Sequence, residues 1–459
     1  MKTNTKDMTT GNTLKIVLIF ALPLLIGNIF QQIYNLVDTM IAGQYLGEDA
    51  IAAIGATSVL YSLLMNFAWG LNGGYCIVLS RFFGAKSIKR FRQSVSAMVI
   101  LNVIIGIVLT VIPIISLRPL MRILHTPEEI FESSYTYILI IFIGMIATIC
   151  YNMCSGFMRA VGNSKTPLYF LIVSSVLNVI LDIVLVIVFP FGIAGTAIAT
   201  VIAQIVSSVL SVWYILKNYS EYLPKTKNDY PDKAIVSEML GAGLSMAMMN
   251  SVFSLGSVIM QRAINQLGTV IITAHTASRR IFEILMIPMA TVANANSTFV
   301  GQNYGAGRLD RIRKSNKDMI MTECVWSVFS LILCFVFGRA MITWLTGTSD
   351  SVIIGNAVLN MKVSVILFIP LGILLVLRTS MQAMGHKILP VLSSGIELTV
   401  KVISALWIVP VKGYFGVTLT EPSTWVLCAV FLGIFYFTVG KQKEIKLNGA
   451  LTYETNGII

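Results

Sequence analysis

Residues 167–189, PLYFLIVSSVLNVILDIVLVIVF, decide the fold of this chain. The stretch is long enough to cross a bilayer as one helix. Its only charge is Asp182, and Asn178 lies four residues earlier, so the amide and the carboxyl share one helix face. A carboxyl inside hydrocarbon usually faces a bundle interior or a water-filled cavity. The stretch therefore predicts a membrane-spanning helix with a functional acid; the simpler alternative is an Asp182 that only hydrogen-bonds a neighbouring helix.

The composition is typical of a polytopic membrane protein. Of the 459 residues, 56% are hydrophobic and only 12% are charged, against roughly 25% charged residues in a typical soluble domain. The mean hydropathy is +0.81. All six cysteines fall in or at the ends of apolar segments, which indicates neither a disulfide framework nor a zinc site.

The apolar segments predict an all-α membrane protein with twelve transmembrane helices. Lys2 and Lys6 precede an apolar run without a small-residue cleavage site, so we interpret this run as a retained first helix rather than a signal peptide. The predicted spans are 14–43, 51–80, 93–116, 133–158, 167–189, 193–217, 236–262, 270–300, 318–340, 353–381, 388–410 and 416–440.

The net charge of +12 indicates membrane topology rather than a nucleic-acid partner. With the N-terminus placed in the cytoplasm, 23 of the 33 Lys and Arg residues fall in inside segments and 5 in outside segments. Short cytoplasmic loops carry such an excess of basic residues. The bias predicts that both termini are cytoplasmic.

The chain contains an internal repeat. RFFGAKSIKRFR at 81–92 matches QNYGAGRLDRIR at 302–313, and Gly84 matches Gly305; we call the spacing between these two glycines the repeat offset. We expect them to close equivalent cytoplasmic turns where a side chain is poorly tolerated. Each half holds six spans, so both halves insert the same way up, as a parallel repeat. The prediction is two pseudo-symmetric six-helix lobes, with an N-terminal lobe at 1–217, a cytoplasmic linker at 218–235, a C-terminal lobe at 236–440 and a cytoplasmic tail at 441–459.

The first span carries a second acid. Asp38 is the only charge in the body of that span, and Pro23 lies fifteen residues before it. Proline removes a backbone hydrogen bond in mid-helix, which predicts a kink that is either static or part of a movement. The first and fifth spans run in the same direction, so Asp38 and Asp182 can lie at similar depth. The polar residues between Pro23 and Asp38 either line the same cavity or bond between helices: Gln31, Gln32 and Asn35.

Several motifs resemble those of the multidrug and toxic compound extrusion (MATE) transporters. They are VDTMIAGQYLGEDAIAAIG at 37–55, MRAVGNSKTP at 158–167, NVILD at 178–182, GIAGTAIAT at 192–200 and FVGQNYGAGRLDRIR at 299–313. The resemblance covers nearly all of both halves and is closest to the DNA-damage-inducible and archaeal branch. It implies a twelve-helix, two-lobed antiporter that exports amphipathic, mostly cationic organic compounds by alternating access, in exchange for protons or sodium ions.

The resemblance also implies roles for individual residues. Asp38 matches the acid of the first helix, with Pro23 as its bend, and Asn178 with Asp182 matches the amide–acid pair of the fifth helix. Tyr137 and Thr200 are similar to the polar partners of that pair. A sodium ion, if that is the coupling ion, is expected at Asp38, Asp182 and Asn178. No cofactor and no other metal are expected.

The C-terminal half departs from another branch of the family. The acids that this branch carries in its seventh and tenth helices have no mid-span counterpart here, and span ten instead carries Lys362 and Arg378. Two pairs at i,i+4 spacing remain: Arg279 with Glu283, and Glu397 with Lys401. Such pairs either neutralise each other, or Glu283 attracts a cationic substrate; Gln32, Asn35 and Glu283 are our candidates for a substrate path. His275 is interpreted as a packed histidine rather than a titrating one.

Two other functions are alternatives to drug export. A lipid-linked oligosaccharide flippase of the same superfamily needs a strongly basic central cavity, whereas the N-terminal half predicts an acidic one. Arg279, Arg280 and Lys362 of the C-terminal half keep the flippase open as the alternative. An intramembrane enzyme would use Asn178 and Asp182 as half of a magnesium motif, but position 186 is Val where a further acid is needed. We therefore expect a transporter and no enzyme, acting as a monomer in the plasma membrane, with the lipid bilayer and small amphipathic cations as its partners.

Overall fold

The computed structural model describes residues 5–455, and side chains as far as residue 438. Every regular element in this part of the chain is helical. Lys2 and the end of the predicted tail, 456–459, lie outside the described residues. The helices are α1 Thr13–Leu46, α2 Glu48–Gly84, α3 Ile88–Ile123, α4 Glu128–Ala160, α5 Lys165–Asp182, α6 Ile193–Asn218, α7 Lys233–Asn265, α8 Thr269–Gly305, α9 Leu309–Thr346, α10 Ser351–Ile366, α11 Phe368–Ala383, α12 Ile388–Ile403, α13 Val409–Lys412 and α14 Tyr414–Thr455.

The helices confirm the twelve-span prediction. Within the described residues, eleven helical segments are long and apolar enough to cross a membrane, and α10 with α11 forms a twelfth span that bends by 53°. The break falls at Leu367, between α10 and α11. Pro370 stands in the first turn of α11, where its missing N–H costs little, so the sequence favours a new helix start at this point.

Two spans contain a π-helical segment. α5 continues into a π-helix at Ile183–Val188, directly after Asp182. α12 continues into a π-helix at Ser404–Ile408, which leads into α13. The first residues of the two π-helices are separated by the repeat offset, and π-helical turns are frequently found at functional sites.

The chain divides into two compact units. The N-terminal unit comprises residues 5–7 and Phe20–Ala247, and the C-terminal unit comprises Met8–Ile19 and the chain from Met248 onwards. The division therefore falls within α1 and within α7. Ile19 is the last residue that α1 contributes to the C-terminal unit, and Pro23 lies four residues later, so the Ile19 carbonyl has no N–H of its own helix to accept from.

Each unit buries polar side chains within an apolar core and exposes many large apolar side chains. Ser, Thr and Asn side chains such as Ser80, Asn178 and Thr196 are fully buried in the N-terminal unit, whereas Ile115 and Val188 are more than 60% exposed. A soluble domain does not expose so many large apolar side chains, whereas lipid rather than water surrounds membrane spans. It supports a multi-pass membrane protein.

The turns after α2 and α8 are equivalent. In both turns the left-handed backbone conformation lies after the matched glycine, not at it. Gly84 and Gly305 are the last residues of α2 and α8. The left-handed residues lie two positions later, at Lys86 (φ 54°) and Gly307 (φ 70°). Gly84 and Gly305 therefore end their helices at equivalent positions, and the poor tolerance of a side chain at either glycine stays a prediction.

Candidate functional site

The amide–acid pair of α5 lies inside the N-terminal unit. The side chains of Asn178 and Asp182 are both fully buried. With its amide nitrogen turned towards the acid, Asn178 donates to Asp182 Oδ2 at 3.0 Å and accepts from the backbone N–H of Thr200 at 3.2 Å. This orientation satisfies both ends of the amide, which is the criterion by which amide orientation is assigned. The pair therefore belongs to one hydrogen-bonded group that joins α5 to α6.

The acid of α1 joins this group. The carboxyl of Asp38 is within hydrogen-bonding reach of the carboxyl of Asp182. Two carboxyl groups can hydrogen-bond only when one of them holds a proton, since an ionised carboxylate has no donor. Asp38 Oδ1 and Asp182 Oδ1 are buried and accept a hydrogen bond from no donor of the described residues.

Three tyrosines and a threonine surround the two acids. Tyr34 and Tyr137 are near enough to both acids for electrostatic interaction, and Tyr61 adjoins both tyrosines. The Tyr34 hydroxyl lies 3.5 Å from Thr200 Oγ1. The structure thus brings Asp38, Asp182, Asn178, Tyr137 and Thr200 together, and it adds Tyr34 and Tyr61, which sequence reasoning missed. Tyr34 precedes Asp38 by four residues, so the i,i+4 rule could have found it.

Two polar residues proposed from the first span have exposed side chains, and Pro23 lies further along the helix. Gln32 and Asn35 are exposed on α1, and the backbone carbonyl of Asn35 accepts from Thr39 Oγ1 at 2.9 Å. Pro23 is buried within the continuous helix α1. A position fifteen residues from Asp38 is about 22 Å away along a helix axis, so Pro23 can act on the site only through the helix.

A chain of ion pairs runs through the C-terminal unit. Lys401 is fully buried and lies 3.0 Å from Glu397 and 3.4 Å from Glu421. Arg279 lies 3.5 Å from Glu421, and Arg378 lies 3.5 Å from Glu397. The two i,i+4 pairs seen in the sequence therefore belong to one network, and Glu421 of α14, which the sequence reading passed over, joins them.

Glu283 lies at the edge of this network. Its side chain is 45% exposed and lies 3.4 Å from both Arg279 and Arg280. His275 packs edge-on against Tyr414, with its Nδ1 3.5 Å from the tyrosine hydroxyl. The packing interpretation of His275 agrees with this contact.

A second buried acid in the C-terminal unit was also missed. Glu323 of α9 is 2% exposed, and neither of its carboxyl oxygens has a hydrogen-bond partner. It packs beside Gly372 and Met289. The acid lies within a 38-residue helix whose start is rich in charges, which hid it from an argument based on isolated charges.

The C-terminal unit contains a cavity of about 270 Å³. Arg279 and Glu421 provide its charges, and Phe282 and Trp425, whose rings stack at 5.5 Å, form part of its apolar wall. His275, Ser278, Asn360 and Ser364 add polar groups. Within residues 5–455, no three His, Cys, Asp or Glu side chains come together as a metal-binding group.

The matching family model covers most of the chain in two pieces. The model, described as MatE, matches residues 23–184 and again residues 245–407. The chain belongs to the MatE family. The double match confirms the two-lobed architecture inferred from the repeat, and MatE proteins are membrane transporters rather than enzymes.

Curated relatives and solved structures agree with the family. The chain is 28% identical over 446 residues, 93% of this chain and 94% of the relative, to "Probable multidrug resistance protein YoeA" of Bacillus subtilis. It is 22% identical over 383 residues, 83% of this chain and 85% of the relative, to "Multidrug export protein MepA" of Staphylococcus aureus.

Among solved structures, "Crystal structure of MATE in the bent conformation" matches with a TM-score of 0.88 at 19% identity, over 96% of this chain and 98% of the other. "Outward-facing conformation of a multidrug resistance MATE family transporter of the MOP superfamily" matches with a TM-score of 0.86 at 19% identity, over 98% and 100%. At this identity the structures establish the MatE fold alone.

Proposed function

We propose that this MatE transporter is an antiporter that exports amphipathic, mostly cationic organic compounds in exchange for protons or sodium ions. Asp38, Asp182 and Asn178 form its coupling centre. The names of the relatives, a probable multidrug resistance protein and a multidrug export protein, support drug export as the overall activity.

One observation carries the proposal. Asp38 and Asp182 meet inside the N-terminal unit, and each keeps one buried oxygen without a hydrogen-bond partner. No basic side chain of the described residues forms an ion pair with either acid, in contrast to Glu397 and Glu421 of the C-terminal unit. Two neighbouring acids, Asp182 fully buried and Asp38 partly buried, need a cation from outside the chain when no basic side chain compensates them.

The carboxyl oxygens of Asp38 and Asp182 can bind a proton, a sodium ion or an organic cation. A proton shared between the two carboxyls removes their repulsion. Sodium would take the carboxylate oxygens as ligands, and it would gain the amide oxygen of Asn178 when that amide turns over, because the amide nitrogen now faces Asp182. An organic cation would use the same carboxylates when the small ion has left. Because both ligands need the same groups, binding of one disfavours the other, which is the condition for exchange.

Neighbouring residues would adjust the centre. Thr200 holds Asn178 through its backbone N–H, and Tyr137 places an aromatic ring beside the acids, where a ring face can attract a cation. Pro23 weakens α1 at the turn after Ile19. Ion binding at Asp38 would therefore bend α1 at its weakest turn.

The test compares three variants and the unchanged chain in an efflux-deficient bacterial host. Asp38→Asn and Asp182→Asn keep the shape of the side chains but cannot exchange a proton. Each should reach the membrane at the normal level and fail to confer resistance to a cationic drug. Asp49→Asn, an exposed change of the same kind on α2, and the unchanged chain should both confer resistance.

Reconstituted protein identifies the coupling ion. Efflux of a fluorescent cation from proteoliposomes is measured with a proton gradient alone and then with a sodium gradient alone, and the gradient that drives efflux names the ion. Wild-type efflux and wild-type ion dependence in Asp182→Asn would contradict the proposed centre. Transport of a lipid-linked oligosaccharide in place of the cation would favour the flippase, although the acid site of the N-terminal unit does not suit a pyrophosphate.

We place the protein in the cell membrane as a monomer, with both termini and the linker 218–235 in the cytoplasm. The 23-to-5 distribution of basic residues supports this orientation. An impermeant thiol reagent applied to intact cells should fail to label a cysteine placed at Lys227. Labelling there would reverse the orientation.

A further inference from the structure

The cavity of the C-terminal unit is built from the repeat positions that surround the two acids in the N-terminal unit. The starts of α2 and α8 are separated by the repeat offset, and so are the starts of α6 and α14. Gly192 and Gly413, which precede α6 and α14, have φ of 59° and 58°. At this offset Tyr61 corresponds to Phe282, and Thr200 corresponds to Glu421.

A slightly longer offset than the repeat offset separates the starts of α4 and α10, and the same offset separates the starts of α5 and α12. Tyr137 then corresponds to Asn360, and Asn178 corresponds to Lys401. Phe282, Asn360 and Glu421 all line the cavity. The contacts correspond as well: one end of the Asn178 amide lies 3.3 Å from Thr200 Oγ1, and Lys401 Nζ lies 3.4 Å from Glu421 Oε1.

The charges of the two sites are opposite. The acid Asp38 corresponds at the repeat offset to Ile259, and neither Ile403 nor Ala405, the candidates opposite Asp182, is acidic. Basic residues appear instead, since Lys401 replaces the Asn178 amide and Arg279 replaces Ser58. The two sites therefore occupy equivalent positions of the repeat, but the charge of the C-terminal site has the opposite sign.

The network beside the cavity has an excess of positive charge. It contains three basic side chains, Arg279, Lys401 and Arg378, and two acidic ones, Glu397 and Glu421. Adding the outer pair of Arg280 and Glu283 does not change the excess of one. An uncompensated positive charge in a membrane interior is costly, and an anion that binds there removes the cost.

Arg279 is the cation that an incoming anion can reach. Its side chain is 32% exposed and lines the cavity. Its two ion pairs, at 3.4 and 3.5 Å, are longer than the 2.7–2.9 Å of a strong charge-assisted bond. A guanidinium has five N–H donors, so donors remain for a carboxylate. Lys401 is fully buried, so it can attract an anion only through its electrostatic field.

We propose that the C-terminal cavity is a second binding site, which takes a small aromatic carboxylate. The carboxylate binds to Arg279, and the ring lies against Phe282 and Trp425. The volume of about 270 Å³ suits a single ring better than a drug-sized molecule, since drug pockets usually exceed roughly 300 Å³.

The probes are benzoate, benzamide and benzamidine, which share one ring and carry a negative, a neutral and a positive group. Binding to the full chain in lipid nanodiscs is measured by calorimetry in the Asp38→Asn, Asp182→Asn background. That background removes the acid site as a receptor for benzamidine, so the result does not depend on the function proposed for those acids. Benzoate should bind most tightly and benzamidine most weakly.

Three variants test the role of Arg279. Arg279→Gln should weaken benzoate binding about tenfold or more, the effect of losing a charge-assisted hydrogen bond, and Glu421 keeps Lys401 as a partner. Arg280→Gln, at a side chain 69% exposed and outside the cavity lining, should leave benzoate binding unchanged. Glu421→Gln should strengthen it, because the carboxylate that competes for Arg279 is gone; a folding defect would have the opposite effect.

Two results would overturn the proposal. One is benzamidine binding as tightly as benzoate in the acid-free background. The other is unchanged benzoate binding in both Arg279→Gln and Glu421→Gln.

Discussion

Asn178 lies one helical turn before Asp182 and donates to its Oδ2 at 3.0 Å. The amide thus fixes one oxygen of the acid and leaves Oδ1 without a partner. A buried acid held in this way has one oxygen positioned by the protein and one available to an ion.

Exchanging Asn178 for leucine should slow drug export at least tenfold at a normal membrane level. A hydrogen bond to a charged group is worth roughly 1.5–3 kcal/mol, and about 1.4 kcal/mol is a factor of ten. The measurement is efflux of a fluorescent cation from proteoliposomes. Asn102→Leu is the matched control, because Asn102 is also buried but its amide donates to the Met98 carbonyl of its own helix at 2.8 Å. Equal efflux in the two variants would remove Asn178 from the centre.

Exchanging Glu323 for leucine should stabilise the protein. Both carboxyl oxygens of Glu323 are buried without a partner, and such a group costs roughly 1–3 kcal/mol. Thermal unfolding in detergent should shift to higher temperature. Glu397→Leu should shift it lower, because Lys401 would lose its 3.0 Å partner. If Glu323→Leu gained no stability and abolished transport, Glu323 would belong to the transport machinery.

Exchanging Gly74 for alanine should destabilise the N-terminal unit. A Cβ at Gly74 of α2 would lie 2.4 Å from the carbonyl oxygen of Ala242 on α7, so two helix backbones would have to separate. Overpacking of this kind costs roughly 1–3 kcal/mol, measured as folded yield and thermal midpoint by fluorescence-detected gel filtration. Gly55→Ala on the same helix is the control, since nothing lies within 4 Å of its Cβ. Equal midpoints for the two variants would contradict the close approach.

Tyr219 should give the protein an alkaline instability. The residue follows the end of α6, is fully buried, and accepts a hydrogen bond from Asn163 Nδ2 at 2.9 Å. Burial raises the pKa of Tyr219 from 10.0 to about 12. Its neutral form therefore stabilises the fold fully below pH 10, and this contribution is lost as the pH rises from 10 to 12.

The loss is on the order of 3 kcal/mol, because one pKa unit corresponds to about 1.4 kcal/mol and the pKa of Tyr219 rises from 10.0 to about 12. Tyr219→Phe should be less stable than the wild type at pH 8 and lose less stability between pH 10 and pH 12. The exposed ring of Tyr169 offers the control change, Tyr169→Phe. Parallel pH profiles for wild type and Tyr219→Phe would contradict the assignment.

The sequence predicted most of the fold because each element depends on local chemistry. In a membrane, stretches such as 167–189 can satisfy their backbone hydrogen bonds only as helices. The constant offset between matching motifs indicates the two-lobed repeat. Asp38 and Asp182 stood out for the same reason, as single charges in long apolar runs. The bend at Leu367 between α10 and α11 was not predicted, because the hydropathy continues through it.

The tertiary structure decided which side chains lie next to each other. Tyr61 gives no sign in the sequence that it lies beside the acid centre, and Glu421 gives none that it connects Arg279 to Lys401. Side chains far apart in sequence meet only after helices pack, and the register of that packing depends on small residues and helix breaks. The sequence by itself determined a twelve-helix membrane protein with acids in two N-terminal spans. The packed structure decided that these acids meet each other without a counter-ion while the acids around Lys401 are neutralised, because only contact distances set which buried charges compensate one another.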